Sequence, residues 1–211
     1  MTHQTHAETK FETTTELLLI RHAPAFHDGR LAGRRDVPAD CSNAQAFAAL
    51  RSAIGAVEFR IASPALRCLQ TTAALWPELL EPETDVRLWE QDFGAWEELS
   101  FAAVPDLGTL PPEELVRYRA PGGESFAGLC ERTAPALSTL AGRGGRIALV
   151  AHAGTVRAAM ALALKSQVAA LTFQVAPLSL TRLTVTRSNE TGGTNWSIGC
   201  VNWTATAGHV R

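Results

Sequence analysis

The chain has 211 residues, 46% hydrophobic and 19% charged, the composition of a chain that folds around a core rather than of disordered, collagen-like or coiled-coil sequence. Lys plus Arg number 19 against 21 Asp plus Glu, a formal charge of -2, so no bulk positive field draws nucleic acid or anionic lipid and any anion site must be built locally. The length favours one domain, and no apolar run approaches the ~20 residues of a membrane helix, so neither nucleic acid nor membrane is an expected partner.

Residues 1–15 are polar, without the basic start and apolar centre of a secretory signal, and read as a flexible N-terminal tail of a cytoplasmic protein. A single domain is expected over 16–211. The four cysteines, Cys41, Cys68, Cys130 and Cys200, lack Cys-x-x-Cys spacing and read as reduced packing thiols, not a disulfide frame or zinc site.

Leu17–Ile20 is a short continuous apolar run, the pattern of a strand buried on both faces, and it delivers Arg21-His22-Ala23-Pro24. A loop to Asp40 gives way to a helix with Phe47, Leu50, Ile54 and Val57 at helical spacing, opened by a Ser42/Gln45 capping box. Phe59–Ala62 reads as a strand running into Ser63-Pro64, expected as N-cap and first helical residue of a helix whose apolar face is Leu66, Leu69, Ala73 and Trp76. Val86–Glu90 is expected as a strand, and 91–124 as a lid-like excursion with one short helix near Glu113–Tyr118. Ser125 starts a helix burying Phe126, Leu129, Thr133, Leu137 and Leu140, closed at Gly142. Arg146–Ala151 is the clearest buried strand and delivers His152-Ala153-Gly154, followed by a helix with Val156, Ala159, Met160 and Ala163. Two strands, Leu178–Thr186 and Asn195–Trp203, close the chain around Gly192-Gly193. The alternation predicts an α/β fold, a three-layer α/β/α sandwich with a mostly parallel sheet and an antiparallel edge.

Ligands of such sheets bind at the carboxyl ends of strands, where this reading places Arg21, His22, Ser63 and His152, with Arg67 one turn into its helix. Arginine forks match phosphate oxygens in pairs, and a neutral imidazole whose other nitrogen is held can attack phosphorus. One histidine would attack and the other bind, with Glu90 supplying the leaving-group proton; Asp92, Glu97, Glu98 and Glu124 are alternative carboxylates. His3, His6, His27 and His209 are assigned to tails or loops, and no metal or other cofactor is expected.

The motifs Leu-Leu-Ile-Arg21-His22-Ala23, Ser63-Pro64-x-x-Arg67, Leu88-x-Glu90, Gly122-Gly123-Glu124-Ser125 and Val150-Ala151-His152-Ala153-Gly154 come in an order that resembles the histidine phosphatase superfamily, in its phosphoglycerate mutase-like branch, over about residues 16–186. The resemblance implies His22 as phosphorylated nucleophile, Arg21, Arg67 and His152 as the phosphate pocket, and Glu90 as general acid and then base. Ala23 and Ala153 stand where glycine is usual, and Asp28 where asparagine is common. Asp28, Arg34 and Ala153 are expected at the substrate. The segment Gly29–Pro38 resembles the corresponding loop of bacterial enzymes that dephosphorylate α-ribazole phosphate in cobalamin synthesis. The expected function is thus hydrolysis of a small phosphate ester. Mutase-type transfer is the nearest rival, disfavoured because only 33 residues separate Glu90 from Glu124, too short a lid to exclude water. A non-catalytic phospho-ligand module is the alternative from another class, and the oligomeric state is open, a homodimer being one option.

Overall fold

The computed structural model describes residues 12–188 and 191–205. Among these, β1 (Glu12–Arg21), β2 (Phe59–Ala62), β3 (Glu83–Thr84), β4 (Gly145–Ala151), β5 (Leu180–Ser188) and β6 (Thr194–Trp203) form one sheet in the order β3-β2-β4-β1-β5-β6. β3, β2, β4 and β1 pair in parallel, and β5 and β6 add the antiparallel edge. The mixed α/β sandwich expected from the alternation is the observed fold.

The apolar runs explain the layering. Alternate side chains of a strand face opposite ways. Leu17 and Leu19 accordingly join Ile147, Leu149, Leu129 and Met160 on one side, while Leu18 and Ile20 join Val150, Phe47, Leu50 and Ile54 on the other. α4 (Phe126–Ala141) and α5 (Ala153–Leu164) cover the first face, α1 (Ala44–Ile54) and α2 (Leu66–Leu75) the second. Each fully buried Leu or Ile contributes about 1.5–3 kcal/mol. α3 (Pro112–Arg117) lies in the excursion after Glu90, and α6 (Gln167–Leu171), which the sequence reading missed, follows α5.

Five local expectations are corrected. β1 begins at Glu12, inside the expected tail, because Thr13 and Thr15 pair with Arg187 and Val185 of β5; residues 1–11 lie outside the described residues. α1 is capped by Asn43, whose side chain accepts from Ala46 N at 3.0 Å, not by the Ser42/Gln45 box. α2 starts at Leu66 with Ala65 as N-cap, since Ser63 is taken up by His152. The buried residues of α2 are Arg67, Cys68, Thr71, Thr72 and Leu75, and of the expected face Leu66 and Ala73 are exposed while Leu69 packs against the core and Trp76, just past the helix, is buried. Val86–Leu88 is a 3₁₀ turn, not a strand: Asp85 caps it by accepting from Arg87 N at 2.8 Å, and only the two residues of β3 pair with β2.

Candidate active site

Sheet register assembles the site. Arg21 of β1 stands opposite Ala151 of β4, and Ala62 of β2 opposite Val150. The next residue of each strand is therefore His22, His152 and Ser63, side by side at the carboxyl edge. His22 N donates to Ala151 O at 2.9 Å and Ser63 N to Val150 O at 3.0 Å, locking the row.

His22 is buried, 6% exposed, and its Nδ1 lies 2.7 Å from Ala23 O. A carbonyl only accepts, so Nδ1 carries the proton and Nε2 keeps its lone pair. Burial above all pushes His22 down to about 3; the hydrogen bond to Ala23 O, next in size, pulls the other way, and the charges of Arg67 and Arg21 add smaller downward pushes. The ring is thus neutral at physiological pH. His152 is fully buried; its ring meets that of His22 edge-on at 5.3 Å between centroids, and its Nε2 lies 2.9 Å from Ser63 Oγ. Trp89 stacks on His152, and the Arg67 guanidinium lies 6.0 Å from the Trp89 ring centre.

Both histidines are harder to protonate in the folded chain than the ordinary 6.5, His22 at about 3 and His152 well below it, each through burial first. As pH falls below about 6.5 the unfolded chain takes up protons that the folded chain refuses. Their contribution to stability is complete above 6.5 and is lost progressively toward pH 3. We expect Tm to fall between pH 7 and pH 4, and to fall less steeply in His22→Asn; an unchanged slope in that variant would remove His22 from the effect.

Arg67 is 1% exposed and donates to Arg35 O at 2.8 Å and Gly33 O at 2.7 Å. It thereby fastens the loop after His22 to α2. Arg21 donates through one terminal nitrogen to Val175 O, and its Nε is buried without a partner.

Glu90 is the only carboxylate among the described residues lining the cavity of about 230 Å³ that opens at His22, Arg21 and Arg67. Its carboxylate accepts from Gln91 N at 2.9 Å and, at 3.5 Å, from Gly154 N at the start of α5. Arg132 of α4 holds the approach to it, donating to the carbonyls of Arg87, Trp89 and Glu90 and pairing with Glu124. The alternative carboxylates are committed elsewhere: Glu124 to Arg132 and Asp92 N, Glu97 to Arg34 N and Phe93 N, Glu98 to Arg35, Asp92 to Gly94 N.

Gly154 keeps Glu90 in place by lacking a side chain. A Cβ there would meet Glu90 Oε1 at 2.3 Å and Leu129 Cδ2 at 2.6 Å. Gly154→Ala is expected to displace the Glu90 carboxylate and lower kcat by about 10- to 100-fold with a folded chain. A crystal structure of the variant with Glu90 unmoved, or unchanged kcat, would contradict this.

Ala153 lines the cavity, while Asp28 and Arg34 do not. Asp28 and Gly29, both at positive φ, form the tight turn closed by Arg30 N to His27 O, and Asp28 is exposed there. Arg34 is spent on Glu90 O at 3.3 Å and, at 3.7 Å, on Glu124. His152 stands behind His22 rather than on the cavity wall. The sequence reading missed His27 and Arg157, which line the cavity together with Leu31, Phe93, Phe101 and Phe126. Arg157 follows Ala153 by four residues, one helical turn along the same face of α5, a spacing that could have found it. Burial lowers the Arg157 pKa, and its Nε donates to Phe173 O at 3.0 Å. Among the described residues no group of three or more His, Cys, Asp or Glu side chains could hold a metal ion, and no helix is long and apolar enough to cross a membrane.

Residues 17–194 match the family model of the histidine phosphatase superfamily (branch 1), and the chain belongs to that superfamily. By class it is a phosphatase. A search of curated proteins gave no match. Among solved structures, a mycobacterial glucosyl-3-phosphoglycerate phosphatase superposes with a TM-score of 0.76 at 23% identity, covering 90% of this chain and 99% of its own. Phosphoserine phosphatase from Entamoeba histolytica, bound to phosphoserine, gives 0.73 at 20% identity over 90% and 98%. An Escherichia coli protein proposed to be an α-ribazole-5′-phosphate phosphatase gives 0.72 at 17% identity over 90% and 96%. At these identities the likeness is one of fold.

Proposed function

We propose that the chain hydrolyses a small phosphate monoester through a phosphohistidine on His22, without a metal. The observation that carries this reading is the Nδ1 to Ala23 O hydrogen bond, which leaves an unprotonated Nε2 on a cavity walled by Arg21, Arg67 and Glu90. Nε2 attacks phosphorus and forms the P–N bond while the ester P–O bond breaks. Arg21 and Arg67 neutralise the charge on the equatorial oxygens, and the Glu90 carboxyl gives its proton to the departing oxygen. Water, deprotonated by the Glu90 carboxylate, then attacks phosphorus, the P–N bond breaks and phosphate leaves.

For the ester itself we favour α-ribazole 5′-phosphate, which would place the protein in the cytoplasm on the route to cobalamin. The reading rests on the Gly29–Pro38 segment and on the apolar wall of Leu31, Phe93, Phe101 and Phe126, which suits a leaving group with an aromatic ring. The test is hydrolysis, in the presence of chelator, of α-ribazole 5′-phosphate, phosphoserine, glucosyl-3-phosphoglycerate and nucleotides. Preference for α-ribazole phosphate supports the whole reading; preference for another ester keeps the chemistry and discards that substrate. No hydrolysis of any ester would overturn the function.

A further inference from the structure

Two cavity arginines are held by one short stretch of backbone between α6 and β5. Arg157 Nε donates to Phe173 O at 3.0 Å, and Arg21 donates to Val175 O at 2.5 Å. This stretch is fastened to the end of β1, since Leu178 N lies 3.1 Å from Arg21 O and Arg21 N donates to Ser179 O at 3.2 Å. Leu178 sits at φ 53°, disfavoured for a branched side chain, so the loop conformation is imposed by its surroundings.

One side chain from the far end of the chain reaches this loop. Asn202, near the end of β6, accepts from Ala176 N through Oδ1 at 2.6 Å. Val175 O and Ala176 N belong to the same peptide unit, which is rigid, planar and trans. Fixing its N–H therefore fixes the direction of its C=O, and that carbonyl is the one that holds Arg21. Asn202 is itself positioned: its N–H donates to Thr181 Oγ1 at 3.2 Å, and it adopts φ 55°, a left-handed conformation that asparagine tolerates better than most residues.

We propose that Asn202 is a positioning residue for phosphate capture, acting through the 175–176 peptide on Arg21. The proposal rests on the reading of Arg21 as a phosphate ligand. Without the Oδ1 acceptor the peptide can rotate, Val175 O leaves Arg21, and the guanidinium loses the orientation it presents to the cavity.

Three variants separate this from a merely structural role. Asn202→Gly keeps access to positive φ and removes the acceptor; Asn202→Asp keeps the acceptor. The third places Asn202→Gly in an Arg21→Ala background. The readouts are calorimetric binding of inorganic phosphate, kcat and KM on 4-nitrophenyl phosphate, and Tm. Asn202→Gly is expected to weaken phosphate binding and kcat/KM by about tenfold, the consequence of one lost hydrogen bond, and Asn202→Asp to restore most of it. In the Arg21→Ala background the same change should alter phosphate binding by less than about twofold, because the two act in series. A lowered Tm with unchanged phosphate binding would overturn the proposal, as would equal effects in both backgrounds or no recovery with aspartate. A wild-type protein that neither binds phosphate nor hydrolyses the ester would overturn both this proposal and the proposed function, whereas an active wild type with an indifferent Asn202→Gly would overturn this proposal alone.

Discussion

His22→Ala is expected to lower kcat by about 10⁴-fold or more and to abolish acid-labile phosphate incorporation into the protein. The loss should be one of chemistry rather than of capture. Arg21 and Arg67 are anchored by Val175 O, Gly33 O and Arg35 O, none of which involves the imidazole. Inorganic phosphate should therefore still bind, and kcat should collapse while phosphate affinity changes by only a few-fold. Two neighbouring groups are poorly placed to take over: His152 is fully buried behind His22 with Nε2 engaged by Ser63, and the Cys68 thiol is pushed well above its ordinary pKa by burial. Retained turnover in His22→Ala, or a phosphoenzyme still trapped in it, would remove His22 as the nucleophile.

Arg67→Ala should produce the next largest effect, a fall in kcat/KM of about 10³-fold, with phosphate binding weakened in parallel. Unlike His22, Arg67 also supports the fold. Its two backbone acceptors lie in the loop after His22, and its removal leaves Gly33 O and Arg35 O without that donor. A hydrogen bond from a charged donor contributes about 1.5–3 kcal/mol, so a lower Tm is expected as well. Arg67→Lys separates the two roles: it keeps a positive charge but not a planar fork that serves two carbonyls and a phosphate together. We expect Arg67→Lys to recover part of the stability and little of the activity. Near wild-type turnover in Arg67→Ala would exclude it from the site.

The two cationic anchors were legible in different degrees. Arg21 and His22 follow directly on an apolar strand run, so their place at a strand end can be read locally. Arg67 was legible through its place one turn into the helix after Ser63-Pro64, but its burial ran against pattern reasoning. The apolar residues Leu66, Leu69, Ala73 and Trp76 suggested one face of α2, yet the helix turns Arg67 and Thr71 inward, where Arg67 meets the loop carbonyls and Thr71 accepts from Ala23 N at 2.9 Å. Helical periodicity assumes that the core is apolar, and a helix that builds a polar site breaks the assumption. The same blindness hid Arg157, an isolated arginine in the otherwise apolar α5.

Val86–Glu90 illustrates a different failure. The spacing of Val86 and Leu88 is what a strand requires, and Leu88 is indeed buried, but Val86 is 72% exposed because the Asp85 cap turns the chain. Over three residues a strand and a 3₁₀ turn leave the same trace in the sequence. Asp28 and Arg34 were misplaced because a loop has no period to read: an Asp-Gly pair signals a reversal, but not which side chains then face the cavity.

By itself the sequence determined the class of fold, since burial is written locally in the continuous apolar runs of β1 and β4 and in the helical spacing of α1, α4 and α5. It also determined which residues stand at the strand ends. The tertiary structure alone decided that β4 inserts between β2 and β1 in a register that sets Arg21 opposite Ala151. That pairing brings His22 against His152, while the antiparallel pairing of β1 with β5 lays the loop before β5 onto Arg21. Strand order and register are settled by packing between segments distant in the chain, where side-chain periodicity carries no information about which strand will be the neighbour.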